Sequence, residues 1–85
     1  MKQVAVVIGG GQTLGAFLSR GLAAEGYRVA VVDIQSDKAA TVAHEINAEF
    51  GEGMAYGFGA DATSEQSVLA LARGVDEIFG RTDLL

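Results

Sequence analysis

Val4-Ala5-Val6-Val7-Ile8-Gly9-Gly10-Gly11-Gln12-Thr13-Leu14-Gly15-Ala16-Phe17-Leu18 joins an apolar run to a knot of glycines and then to a segment with helical spacing. The run is β-branched and continuous rather than alternating, which suits a parallel strand buried on both faces. The glycines suit a tight turn, and the segment after them suits a helix whose first amides have no partner. Free amides at a helix N-terminus, reinforced by the helix dipole, attract phosphate. The stretch therefore reads as strand, phosphate-binding turn and helix.

Working outward, the strand runs from Gln3 to Ile8 and the helix from Thr13 to Glu25. Leu14, Phe17, Leu18, Gly21 and Leu22 recur at i, i+3, i+4, i+7 and i+8, the spacing of one helical face. Gly26 stands where a helix C-terminus favours glycine. Arg28 to Asp33 is a second buried-type strand that ends abruptly in a charge. Ser36 or Asp37 can cap a second helix running to about Phe50, with Ala39, Val42, Ala43, Ile46 and Phe50 inward and Gly51 closing it. Met54 to Gly59 forms a weaker third strand, because Gly57 and Gly59 lower strand preference.

Thr63-Ser64-Glu65-Gln66 has the form of a capping box. It opens a third helix reaching about Phe79, with Val68, Leu71, Ala72, Val75, Ile78 and Phe79 inward. Gly74 within it costs about 1 kcal/mol relative to alanine. Gly80 ends the helix, and Arg81 to Leu85 begin a fourth strand. The order β-α-β-α-β-α-β, with short connections, implies an α/β fold with a parallel sheet and right-handed crossovers. This is the N-terminal half of a doubly wound, Rossmann-type fold, whose ligand sits at the carboxyl ends of the strands.

The totals narrow the function classes. Eighty-five residues, 49% of them hydrophobic, suffice for one small domain. Without cysteine there is no disulfide and no thiolate zinc site. The formal charge is −5 and the six Lys and Arg residues are scattered, which disfavours nucleic acid and anionic membrane as partners. The opening apolar run is too short for a signal-peptide core or a membrane span, so a cytoplasmic protein is expected. No lysine follows the glycines in the manner of a nucleoside-triphosphatase loop.

Asp33 is the second witness to a dinucleotide. It lies eighteen residues past Gly15, at the end of the second strand, where a carboxylate accepts from the adenosine ribose hydroxyls. A 2′-phosphate is repelled there unless a cation is near; Ile34 and Gln12 are neutral, so NAD is favoured over NADP. The competing reading is a simple turn residue. Asp61, after the third strand, either meets the adenine amino group or serves as a turn residue before Thr63. His44 has no second histidine or cysteine to join and reads as a surface residue. No metal site and no nucleophile–base pair can be built from these residues.

Ile8-Gly9-Gly10-Gly11-Gln12-Thr13-Leu14-Gly15 resembles the Thr-Gly-x-x-x-Gly-x-Gly loop of the short-chain dehydrogenase/reductase family. Ile8 stands for the usual threonine and Thr13 for the middle glycine. Val31-Val32-Asp33-Ile34 resembles that family's NAD-selecting strand end. Gly59-Ala60-Asp61-Ala62-Thr63 resembles its adenine-contacting Asp-Val-Thr segment, and Phe79-Gly80-Arg81-Thr82-Asp83-Leu84-Leu85 its run into the fourth strand. The resemblance implies an NAD cofactor held by Gly9, Gly11, Gln12, Thr13, Leu14, Gly15, Asp33, Ile34, Asp61 and Ala62. It also implies a homo-oligomeric parent oxidoreductase. A closer resemblance within the family, carried by the same loop and by Asp33-Ile34-Gln35-Ser36-Asp37-Lys38, implies a small sugar-phosphate substrate.

The family's catalytic tyrosine is followed four residues later by lysine. Here Val31 follows Tyr27 and Ala60 follows Tyr56 at that spacing, so neither tyrosine qualifies. The expectation is a partial dinucleotide-binding domain over residues 1–85, cut at its fourth strand and inactive alone. Its first strand, Val4 to Ile8, is then an open edge through which the fragment self-associates. A stand-alone NAD-binding sensor is the alternative class. An S-adenosylmethionine methyltransferase half comes third, since Val7-Ile8 supply no acid before the glycines.

Overall fold

The computed structural model describes residues 3–61 and 63–79, apart from the side chain of Phe79. Three strands alternate with three helices: β1 (Val4–Ile8), α1 (Thr13–Ala24), β2 (Arg28–Asp33), α2 (Ser36–Phe50), β3 (Ala55–Gly59) and α3 (Glu65–Phe79). The expected fourth strand, its preceding Gly80 and the inward placement of Phe79 lie outside the described residues. The strands form one parallel sheet in the order β1-β2-β3. Val4 pairs with Arg28 and Ile8 with Val32; Val29 pairs with Ala55 and Asp33 with Gly59.

Alternation along β2 divides the core in two. Val29 and Val31, with Val7 and Ala55, face α1 and α2; Ala30 and Val32, with Val4 and Val6, face Leu71 and Val75 of α3. Because helices lie on both faces, the strands carry continuous apolar sequence, as their composition requires. The α2 face is the one expected: Ala39, Val42, Ala43 and Ile46 are buried and Phe50 packs beside them. On β3, a Cβ at Gly57 would come within 2.8 Å of the α2 backbone at Ala39 and Ala40. The glycines that weaken β3 as a strand therefore let α2 lie directly on it.

The inner face of α1 differs from expectation. Ser19 and Ala23 are buried and Ala16 and Leu22 pack on the core, while Leu14, Phe17 and Leu18 are exposed. The reason is steric: α1 approaches the glycine turn so closely that only small side chains fit beneath it. A Cβ on Gly15 would run into the carbonyl of Gly9, and the Ser19 hydroxyl turns back to donate to the Gly15 carbonyl at 2.8 Å. On α3, likewise, Leu71 and Val75 face the sheet, but Val68, Ala72 and Ile78 are exposed. Gly74 of α3 lies over Phe58, whose ring a Cβ would meet at 3.1 Å.

The helix ends differ in part from expectation. Gly26 (φ 95°) closes α1 as expected: its N–H bonds the Ala23 carbonyl and that of Tyr27 the Leu22 carbonyl, a Schellman motif. Gly51 likewise follows α2. The α2 N-cap, however, is Gln35, with no side-chain capping bond; Ser36 and Asp37 already lie inside the helix. The α3 cap is Ser64, whose hydroxyl accepts from the Ser67 N–H at 3.3 Å. The expected box between Thr63 and Gln66 does not form because the cap falls one residue later, on Ser64; the Thr63 hydroxyl instead donates to Asp61 at 2.6 Å.

The sheet's two edges are treated differently. The Met54 carbonyl accepts from Val29 of β2, so the Ala55 N–H and C=O point away from the sheet. Asn47 of α2 meets both, donating to the Ala55 carbonyl at 2.9 Å and accepting from its N–H at 2.8 Å. Among the described residues no strand lies beyond β1. Replacing Asn47 with alanine strips two partners from a half-buried backbone and is expected to lower stability by about 1–3 kcal/mol. An unchanged midpoint in chemical denaturation would show that the side chain contributes nothing.

Candidate functional site

The glycine turn forms because Gly9 adopts φ 77°, in the left-handed region that L side chains avoid. The Gly10 N–H then bonds the Val32 carbonyl at 2.8 Å, tying the turn to the end of β2, and the Gln12 N–H returns to the Gly9 carbonyl. Gln12 is the N-cap of α1 but gives it no side-chain capping bond, and the first turn holds no acid. Thr13, Leu14 and Gly15 thus open the helix with amides that lack intrahelical partners, aligned with the positive end of its dipole. Leu14 projects into open space, 83% exposed.

Asp33 ends β2 beside this turn. It is 3% exposed, and both carboxylate oxygens have donors. Oδ1 accepts from the Gln35 N–H at 2.9 Å, and Oδ2 from the Gln12 side-chain amide at 3.3 Å. The Gln35 N–H does most to hold the carboxyl below its usual value. Burial opposes this, while the Gln12 amide, the Gly11 N–H and the charge of Lys38 assist it. Asp33 is therefore an ionised acceptor, and the turn it makes with Gln35 holds the carboxylate in place; the two readings of this residue coexist.

Gly11 is packed between these parts. A Cβ there would come within 2.8 Å of the Lys38 Cβ and 3.1 Å of Asp33 Oδ2. Ile34 follows Asp33 and is 68% exposed at the same edge. Asp61 reaches that edge because the Ala60 N–H bonds the Asp33 carbonyl. Its Oδ1 accepts from the N–H and hydroxyl of Thr63, which lower its pKa, the hydroxyl first. The turn reading of Asp61 is thus realised in the geometry. Ala62 lies outside the described residues, and His44 is exposed on α2.

Three contributors escaped the sequence reading. Gly10 is fixed by Val31, whose side chain a Cβ would meet at 2.7 Å. Gln35 supplies the strongest bond to Asp33; its position two residues past an aspartate is the available signal, since that spacing marks an aspartate turn. Lys38 puts a cation near Asp33 from one turn into α2, which neutral neighbours in sequence do not reveal. Among the described residues no three His, Cys, Asp or Glu side chains could hold a metal ion, and no helix is long and apolar enough to cross a membrane.

A three-layer βαβ unit with a glycine turn under an uncapped helix and a carboxylate at the next strand end defines the dinucleotide-binding class. The chain belongs to the short chain dehydrogenase family, whose model matches residues 3–85. It is 89% identical over 85 residues to sorbitol-6-phosphate 2-dehydrogenase of Escherichia coli (strain K12), covering 100% of this chain and 33% of that protein. The crystal structure of sorbitol-6-phosphate 2-dehydrogenase from Erwinia amylovora superimposes with a TM-score of 0.91 at 63% identity, covering 93% of this chain and 31% of that one.

Solved neighbours hold either nicotinamide cofactor. A 3-ketoacyl-(acyl-carrier-protein) reductase from Brucella melitensis, complexed with NADH, has a TM-score of 0.86 at 31% identity over 95% of this chain and 31% of its own. A metagenomic short-chain oxidoreductase in complex with NADP has a TM-score of 0.86 at 36% identity over 98% and 37%. The chain thus spans about a third of the length of each of these four proteins.

The bonds to Asp33 set a pH signature. Because its folded pKa lies below the ordinary value of 3.8, its contribution to stability is complete above that value. The contribution is lost as pH falls through the depressed folded pKa. The stability difference between wild type and Asp33→Asn should be constant above pH 3.8 and shrink below it. Urea denaturation across the acid range checks this, and a difference independent of pH would contradict it.

Proposed function

We propose that residues 1–85 are the amino-terminal part of a larger dinucleotide-binding domain, in an NAD-dependent dehydrogenase that interconverts sorbitol 6-phosphate and fructose 6-phosphate. The single observation that carries the substrate class is the 89% identity to the E. coli sorbitol-6-phosphate 2-dehydrogenase. The reading of NAD over NADP rests on Asp33, a buried, ionised carboxylate at the end of β2.

The residues present suit the cofactor. The amides of Thr13, Leu14 and Gly15, which lack intrahelical partners, would hold a pyrophosphate. Gly9 by its positive φ, with Gly11 and Gly15 by packing that leaves no room for a Cβ, let the turn form beneath them. Asp33 accepts from the adenosine ribose hydroxyls and repels a 2′-phosphate. Lys38, exposed and the smallest of the influences on that carboxylate, does not cancel its charge. Ile34 offers an apolar surface to the adenine, and Asp61 borders the same edge. NAD, when bound, supplies hydride acceptance; the residues of this chain bind and orient it. No tyrosine here is followed by lysine four residues on, so the proton-transfer groups belong to the remainder of the parent enzyme. A cytoplasmic, homo-oligomeric parent fits a metabolic enzyme of this kind.

Calorimetric titration with NAD and NADP tests the reading. NAD should bind and NADP should bind more weakly. Asp33→Ala should weaken NAD binding by about 10- to 100-fold, the effect of losing hydrogen bonds to a charged group. Equal affinity for the two cofactors would overturn the NAD assignment. Turnover of NAD with sorbitol 6-phosphate by these 85 residues alone would overturn the assignment of proton transfer to the rest of the enzyme.

The 85-residue chain by itself is also expected to self-associate through Val4–Ile8. The support is the strand-free outer side of β1 among the described residues, with Leu14 and Leu18 exposed on α1. Light scattering at rising concentration should show mass growth, and a constant monomer mass would exclude it.

A further inference from the structure

Asp33 Oδ2 is the carboxylate oxygen on the side of the glycine turn, and the Gln12 side-chain amide covers it. The other oxygen is committed to the Gln35 backbone. The Gln12 N–H group therefore takes an acceptor position on that side that a hydroxyl donor would use. We infer that Gln12 acts as an internal stand-in for the adenosine ribose, closing Asp33 Oδ2 in the nucleotide-free protein and swinging out when the nucleotide binds. This rests on the dinucleotide reading above and adds to it a residue that competes with the ligand.

Three observations support the exchange. The Gln12–Asp33 bond, at 3.3 Å, is long against the usual ~2.9–3.0 Å, so it holds weakly and breaks easily. Gln12 is exposed, so its amide exchanges Asp33 for water without burying an unpaired group. Its backbone is the α1 N-cap, so the residue that contests the ribose acceptor also begins the helix whose first amides are open. A nucleotide seated at both places must move this side chain, and affinity falls by the fraction of molecules in which Oδ2 is open.

The test has two arms on the 85-residue chain. In the free protein, the Gln12 side-chain amide resonance should differ from that of a solvated glutamine, and should move to the solvated position in Asp33→Ala. ADP-ribose added to wild type should move it the same way. In calorimetry, Gln12→Ala and the length-preserving Gln12→Met should each bind NAD about two- to tenfold more tightly than wild type.

A free-state resonance indifferent to Asp33→Ala overturns the inference without touching the cofactor assignment. So does NAD binding that is present in wild type but weaker or unchanged in both variants. Absence of NAD binding in wild type, with the Gln12 resonance still dependent on Asp33, overturns the cofactor reading and this inference with it.

Discussion

The structure depends on one close approach, that of the first turn of α1 to the carbonyl of Gly9. Two backbones meet there with no room for a methyl group between them. From this constraint follow the position of the open amides over the end of β1 and the small inner face of α1. So does the outward display of Leu14, Phe17 and Leu18. Helices ordinarily turn their largest apolar residues to the core. Here the turn takes precedence, and the helix rotates to satisfy it.

Asp33 shows how a binding group is held ready. Its carboxylate is kept ionised chiefly by a backbone N–H two residues on, supplied by the chain's own turn into α2. A carboxylate fixed in this way loses little freedom when it accepts from a ligand, because its orientation is already determined by the fold. The sheet register makes the same point at larger scale. Pairing Ile8 with Val32 and Asp33 with Gly59 brings the ends of three strands to one edge, where the glycine turn, Asp33 and Asp61 emerge together.

Much of this was legible in the sequence, and for identifiable reasons. The strands of Val, Ile and Ala had one reading, because continuous β-branched runs bounded by glycine leave little choice. The α2 face was legible because Ala39, Val42, Ala43 and Ile46 follow both the period and the size rule. The α1 face was not, because period alone gives two candidate stripes and the close approach at Gly15 is a contact between distant atoms. Caps were not legible where two polar residues stand side by side, as with Thr63 and Ser64: Ser64 takes the cap and Thr63 bonds Asp61. The cofactor residues appeared as a list along the chain. The bond between Gln12 and Asp33 did not, since it joins positions twenty-one residues apart.

The contrast between the two outer strands gives the sheet a direction. At β3 the first outward-facing rung is occupied by Asn47, a side chain imitating a neighbouring strand. At β1 the outward rungs meet no strand among the described residues. The two ends of the sheet thus differ: the start of β3 is already bonded by a side chain, whereas β1 presents its outward groups to an added parallel strand. A three-stranded unit built this way is a template with polarity: its two edges offer an incoming strand unequal numbers of open backbone groups.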